Sequence, residues 1–213
     1  MSTPQERILS HACDLYLEVG KDGFSMRKLA ARVGVTAPAL YRHYPSREHV
    51  FADVMREAYR EFTAKLYRAL EARTPWDRFV GAGQAYLDFA LGHTRWYGVM
   101  FDPPEAMGME GMPEDIEAMG CAIHQFWVDR VRECMDEQIL VAGDPAQVSL
   151  TMWAHAHGLV HLYQRGHFRL DEGGFRTLFD DSCARMMAGL ATDAFVTEAA
   201  AGGVEVATES VAT

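Results

Sequence analysis

The sequence predicts an all-α protein, and three observations carry that reading. Apolar residues recur at helical spacing, start and stop signals punctuate those runs, and no convincing strand or internal repeat interrupts them. With 213 residues and 49% hydrophobic composition, the chain can bury a core in one or two domains. The first helix is expected over about residues 4–19, with Ile8, Ala12, Leu15, Tyr16 and Val19 on one face. Gly20 to Gly23 bring turn chemistry, with Gly20 a natural C-cap, and Phe24 is placed to plug a three-helix core. Ser25 then reads as the N-cap of a second helix whose free N–H groups could also hold a phosphate.

Two short helices follow across a tight turn. Leu29, Ala30 and Val33 keep helical spacing, Gly34 breaks the run, and Val35 and Leu40 resume it. The sharp bend at Gly34 favours a residue that tolerates positive φ. Thr36 is positioned to cap the third helix, and Pro38 falls in its first turn, where no amide hydrogen is needed. A helix so short must pack on neighbours to exist. Two helices joined by a Gly-containing turn form a helix-turn-helix, whose second helix can enter a DNA major groove. Its exposed side offers Thr36, Ala37, Pro38, Ala39, Tyr41, Arg42 and His43, while Leu40 and Tyr44 can face inward.

A longer fourth helix is expected over 47–73, capped by Ser46, with Val50, Val54, Ala58, Phe62 and Leu66 or Tyr67 on its apolar side. Thr74 and Pro75 close it and open a fifth over 75–93. A short sixth helix begins at Thr94, and residues 102–113 form a loop with Pro103, Pro104 and Pro113 and with Met107, Met109 and Met112. That loop either flexes around varied ligands or simply buries methionines. Helices over 114–141, 145–165 and 175–191 follow, the eighth started by Asp144 and Pro145. From residue 192 the Ala-, Gly-, Val-, Thr- and Glu-rich composition predicts a disordered tail.

The helix-turn-helix residues resemble the TetR family of transcriptional regulators. The shared pattern is Leu29-Ala30, Gly34-Val35, Leu40-Tyr41, Tyr44, Pro45-Ser46 and a cation, here Arg47 where Lys is commoner. A guanidinium still binds phosphate, bidentately. The resemblance spans about residues 5–60. It implies a DNA-binding domain over 4–64, joined by a long helix to an effector-binding and dimerisation domain over 65–192, with 193–213 as tail. It further implies a ligand-responsive regulator, most often a repressor, that binds a palindromic operator in double-stranded DNA as a homodimer. Phosphates would be held by Ser25, Arg27, Lys28, Tyr41, His43 and Arg47, and bases read by Thr36, Ala37, Pro38, Ala39 and Arg42.

Trp153, His157 and Gly158 resemble the Trp-x-x-x-His-Gly signature of one C-terminal ligand-binding subclass of that family. The eighth and ninth helices would then pair with their mates as a four-helix bundle, through Ala154, Gly158, Leu159 and Leu162 and through Phe175, Leu178, Phe179, Met186, Met187 and Leu190. A pocket for a small apolar or aromatic effector is expected between the fifth to eighth helices. Its candidate lining is Tyr86, Phe89, Trp96, Met100, Phe101, His124, Trp127, Trp153 and His157. The competing reading of each of these residues is plain core packing.

Charge divides along the chain. Residues 1–73 hold 12 Lys+Arg against 9 Asp+Glu and residues 74–213 hold 8 against 21, giving +3 and −13 within a total of −10. A DNA-facing module attached to an acidic body fits this asymmetry. Cys13, Cys121, Cys134 and Cys183 lie far apart and read as buried reduced thiols. His157 and His161 share a helical face, but His155 lies about 200° from His157 around the axis, which disfavours a metal site. No cofactor is implied, and no Asp/Glu and His constellation supports an enzyme. With no leader-like run and no span of ~18 apolar residues, a cytoplasmic location without membrane contact is expected. A small helical enzyme and a DNA-free interaction protein are the alternatives.

Overall fold

A computed structural model describes residues 3–202. Ten α-helices run in chain order among them: α1 (Pro4–Gly23), α2 (Met26–Val33), α3 (Ala37–Tyr41), α4 (Arg47–Arg68), α5 (Pro75–Gly92), α6 (Thr94–Phe101), α7 (Glu114–Asp136), α8 (Pro145–Gln164), α9 (Glu172–Ala188) and α10 (Asp193–Gly202). Short 3₁₀ turns occupy Ala69–Glu71 and Pro104–Met107. Side-chain caps account for where several of these helices begin. Ser25 Oγ accepts from Lys28 N at 3.2 Å, Thr36 Oγ1 from Ala39 N at 3.3 Å, and Asp144 Oδ1 from Ala146 N at 2.9 Å. Each satisfies an amide that has no partner inside its own helix.

The chain forms two compact units. One holds the residues up to Lys65 together with Gly92–Cys121; the other holds Leu66–Leu91 and the described residues from Ala122 onward. The sequence suggested contiguous domains instead, with 92–121 in the second. In the first unit, Phe51 is fully buried, 5.0 Å from the Phe24 ring and 6.0 Å from the Tyr16 ring. Leu29, Leu40, Val50 and Val54 complete a core without exposure. Met107 and Met109 are also buried, so the methionine-rich loop packs inward. Polar bracing surrounds this core. Tyr44 Oη donates to Asp53 Oδ2 at 2.7 Å, Arg56 reaches Asp53 at 2.6 Å, and the same guanidinium grips Asp115 at 2.5 and 2.9 Å.

The second unit is built from α5, α8, α9, α10 and most of α7. Val131, Cys134, Ile139, Leu140 and Met187 form its core, with Trp76, Phe79 and Phe195 packed against them. Helix α7 stops at Asp136 rather than at 141. Gln138 turns left-handed at φ 56°, and the N–H groups of Ile139 and Leu140 close back on the Cys134 carbonyl at 2.8 and 3.1 Å. Leu140 then makes an isolated antiparallel bridge with Ala191. The expected tail is corrected over its first ten residues, which form α10. Thr192 Oγ1 accepts from Phe195 N at 3.2 Å, and the Phe195 ring meets Trp76 edge-on at 5.1 Å. A hydroxyl cap and one aromatic anchor thus order a segment whose composition signalled disorder. Residues 203–213 lie outside the described residues.

Candidate functional site

The turn between α2 and α3 is set by Gly34. Its φ of 78° places it in the left-handed region, and its N–H meets Ala30 O at 3.0 Å while Val35 N–H reaches the same carbonyl at 3.0 Å. A side chain there would strain the bend that aims α3. Leu40 is fully buried and Tyr44 is 2% exposed, so α3 is anchored on the face opposite its candidate contacts. Tyr41, Arg42 and His43 are exposed, as are Arg27, Lys28, Thr36 and Pro38; Ser25, Ala37, Ala39 and Arg47 are half-buried.

The side chains of Arg27, Tyr41, Arg42 and His43 have no hydrogen-bond or ion-pair partner among the described residues, and no Asp or Glu occurs between Asp22 and Glu48. This is an uncompensated cationic surface, suited to a polyanion. The remaining candidates already have local work. Ser25 and Thr36 use an oxygen lone pair for capping and keep a hydroxyl hydrogen to donate. Lys28 Nζ donates to Gly23 O at 2.7 Å, and the Arg47 guanidinium lies 5.0 Å from the Phe51 ring centroid.

Within the second unit, α5, α7, α8 and α9 enclose a cavity of about 320 Å³. Its walls include Tyr86, Trp127 and Trp153, which the sequence singled out, and Trp76, Phe79, Ser149, Phe179 and Cys183, which it did not. This cavity differs from the expected pocket in one wall: α9 lines it and α6 does not. Trp96 and Met100 are buried in the first unit, where Trp96 stacks on Tyr16 at 6.4 Å, and Phe101 lies 4.7 Å from Tyr97. Phe89 is fully buried core without lining the cavity, and His124 is exposed. His157 sits between Trp153 at 5.3 Å and His161 at 6.0 Å along α8. Burial, and secondarily His161, push its pKa down.

His155 Nε2 is 3.1 Å from Ser182 Oγ of α9, a packing contact between helices. No group of three His, Cys, Asp or Glu among the described residues could hold a metal. All four cysteines are free. Cys13 and Cys134 are buried with thiols raised to about 12, and Cys183 is raised to about 11, each chiefly by burial. Cys121 departs from the expectation and is exposed. Of the ninth-helix residues expected to face a second subunit, Phe175, Phe179 and Met187 are buried within their own chain. A ninth-helix apolar residue can serve either side, and periodicity alone does not choose. Helix α8 behaves differently: only Ser149 and Val160 of its twenty residues are buried, and Leu150, Trp153 and Leu162 are exposed.

A short capped helix flanked by exposed cations, held on a three-helix core, defines a helix-turn-helix DNA-binding protein. Residues 8–54 match the model of bacterial regulatory proteins of the tetR family, and residues 79–190 match that of the tetracyclin repressor-like C-terminal domain. The chain belongs to the TetR family of transcriptional regulators, and the enzyme alternative falls with that assignment. The class A tetracycline repressor of transposon 1721 from Escherichia coli is 45% identical over 51 residues, 24% of this chain and 23% of that repressor. A protein of unknown function from Rhodococcus sp. RHA1 is 25% identical, with a TM-score of 0.75 over 90% of this chain and 97% of its own. AibR, solved with isovaleryl coenzyme A and operator DNA, is 17% identical with a TM-score of 0.61, covering 88% of this chain and 98% of its own. At that identity the likeness speaks to fold alone. No helix among the described residues is long and apolar enough to cross a membrane.

Proposed function

We propose that the protein is a dimeric repressor that binds a palindromic operator and is released when a small molecule occupies the cavity of its second unit. The carrying observation is the acid-free surface around α3, where the Arg27 and Arg42 guanidinium groups have no partner among the described residues. Arg42 takes a base edge, with guanine the best match for its two parallel donors, while Tyr41, His43, Arg27 and Arg47 position the protein on phosphates. The largely exposed apolar face of α8, with part of α9, pairs with a second copy, and a two-fold dimer presents its recognition helices to half-sites ~34 Å apart. A ligand that prefers the state with badly spaced recognition helices lowers operator affinity by that preference and no more.

The test is selection of bound duplexes from a random pool at physiological salt, followed by titration of the double variant Tyr41→Ala, Arg42→Ala. Enrichment of an inverted repeat and loss of its binding by the variant support the reading. Undiminished binding by the variant removes the recognition face from the mechanism, and failure to enrich any duplex favours the DNA-free alternative.

A further inference from the structure

The cavity is apolar nearly throughout, and its exceptions define what it can take. Ser149, on α8, is 2% exposed and lines the cavity, and its hydroxyl has no hydrogen-bond partner among the described residues. A serine inside a helix ordinarily bonds back to the carbonyl four residues earlier. A buried hydroxyl left without any partner is unfavourable and calls for one from outside the chain. No Lys, Arg or His lines the cavity, so an anion entering it would lose its water without gaining a counter-charge. The single charged lining group is Asp180, an exposed residue whose carboxylate accepts from Gln84 Nε2 at 3.4 Å. It repels anions, and its solvated position gives a buried cation little return. Cys183 contributes a neutral thiol. Trp76, Phe79, Trp127 and Trp153 offer flat faces, which suit rings better than flexible chains.

We infer that the cavity binds a neutral, largely apolar, ring-containing molecule whose hydrogen-bonding group engages Ser149 Oγ, and that it rejects carboxylates, phosphates and organic cations. This inference rests on the cavity being the effector site. It adds the ligand's chemical class and the residue that selects it. Removing the hydroxyl from the apo protein relieves the unpartnered group, so Ser149→Ala should raise its melting temperature.

Four probes of one ring size test the class: naphthalene, 1-naphthol, 1-naphthoate and 1-naphthylmethylammonium. Binding to the full chain is read by calorimetry and by quenching of tryptophan fluorescence. The expected order places 1-naphthol tightest and both ions at least about tenfold weaker. In Ser149→Ala, 1-naphthol should weaken roughly three- to tenfold towards naphthalene, while naphthalene itself is unchanged. Equal or tighter binding of either ion, an unaltered preference in Ser149→Ala, or no binding by any probe overturns the proposal. Operator affinity measured in parallel separates the two readings. Ser149-dependent binding of 1-naphthol that leaves operator affinity unchanged upholds the ligand class and removes 1-naphthol as an inducer. Release of the operator by 1-naphthoate keeps ligand response and rejects the class.

Discussion

The two compact units put their helices to opposite ends. The first closes around Phe51, with Phe24, Tyr16, Leu29 and Leu40 filling its interior and Arg56 tying Asp53 to Asp115 at its surface. The second sets Trp76, Phe79, Trp127 and Trp153 along the wall of an open cavity, with Phe79 stacked on Trp76 at 5.9 Å and edge-on to Trp127 at 6.3 Å. A helix that reads DNA must be held in one orientation, because a base contact fails when its donors tilt. A sensor needs room, and the open cavity forgoes the contacts that would have filled it. Close packing is therefore found beneath α3, and open space in the second unit.

The sharpest way to break this contrast is to hollow the first unit. Phe51→Ala removes a fully buried ring and should cost about 3–5 kcal/mol. Denaturant titration will show whether the loss reaches that size; a loss below about 1 kcal/mol would mean that the first unit is as loosely filled as the second. Next comes the surface brace. Arg56→Ala leaves Asp53 and Asp115 without their guanidinium and should lower stability by less than Phe51→Ala does, because Asp115 is exposed and its pairing is screened by solvent, with Arg56→Lys only partly restoring it, because an ammonium cannot grip two carboxylates in the same fork. Thermal melts at low and high salt measure both, and a strong salt dependence would assign the effect to exposed rather than part-buried charge.

Filling the second unit should act in the opposite direction. A Cβ at Gly83, inside α5 on the cavity wall, meets no atom within 4 Å. Gly83→Ala should therefore stabilise by about 0.5–1 kcal/mol through helix propensity, raising the melting temperature by roughly 1–4 °C. A fall instead would show that the wall is already close-packed.

The smallest effect concerns pH. Burial and then His161 hold His157 below its ordinary value of 6.5. Between that value and the lower one in the fold, the unfolded chain binds the additional proton, so stability rises with pH. The contribution is present above 6.5 and is lost as pH falls below it. His157→Gln should flatten that part of the stability profile, and an unchanged slope in denaturant titrations from pH 7.5 to 5 would assign it elsewhere.

The legible parts of this protein were those written in consecutive residues. Ser25, Gly34 and Thr36 each impose a local constraint, and all three act as their positions require: two hydroxyl caps and a left-handed turn. The inward Leu40 and Tyr44 and the outward Tyr41, Arg42 and His43 follow from helical spacing in the same stretch. Trp96 and Trp76 show where that logic ends. Both are aromatics at the start of a helix, yet Trp96 stacks on Tyr16 while Trp76 borders the cavity beside Phe195. Phe195 likewise orders α10 through a partner more than a hundred residues earlier, which the composition of its own segment could not convey.

By itself, then, the sequence determined the all-α class, most of the helix starts, the turn that makes a recognition helix, and the cationic surface around it, because caps, glycine bends and periodicity act over a few residues. Only the tertiary structure decided that α9 rather than α6 walls the cavity, that Phe175, Phe179 and Met187 turn into their own chain, and that Ser149 is buried without a partner. Periodicity marks which face of a helix is apolar but not what covers it, and a cavity is a shortage of atoms among several helices that no single segment encodes.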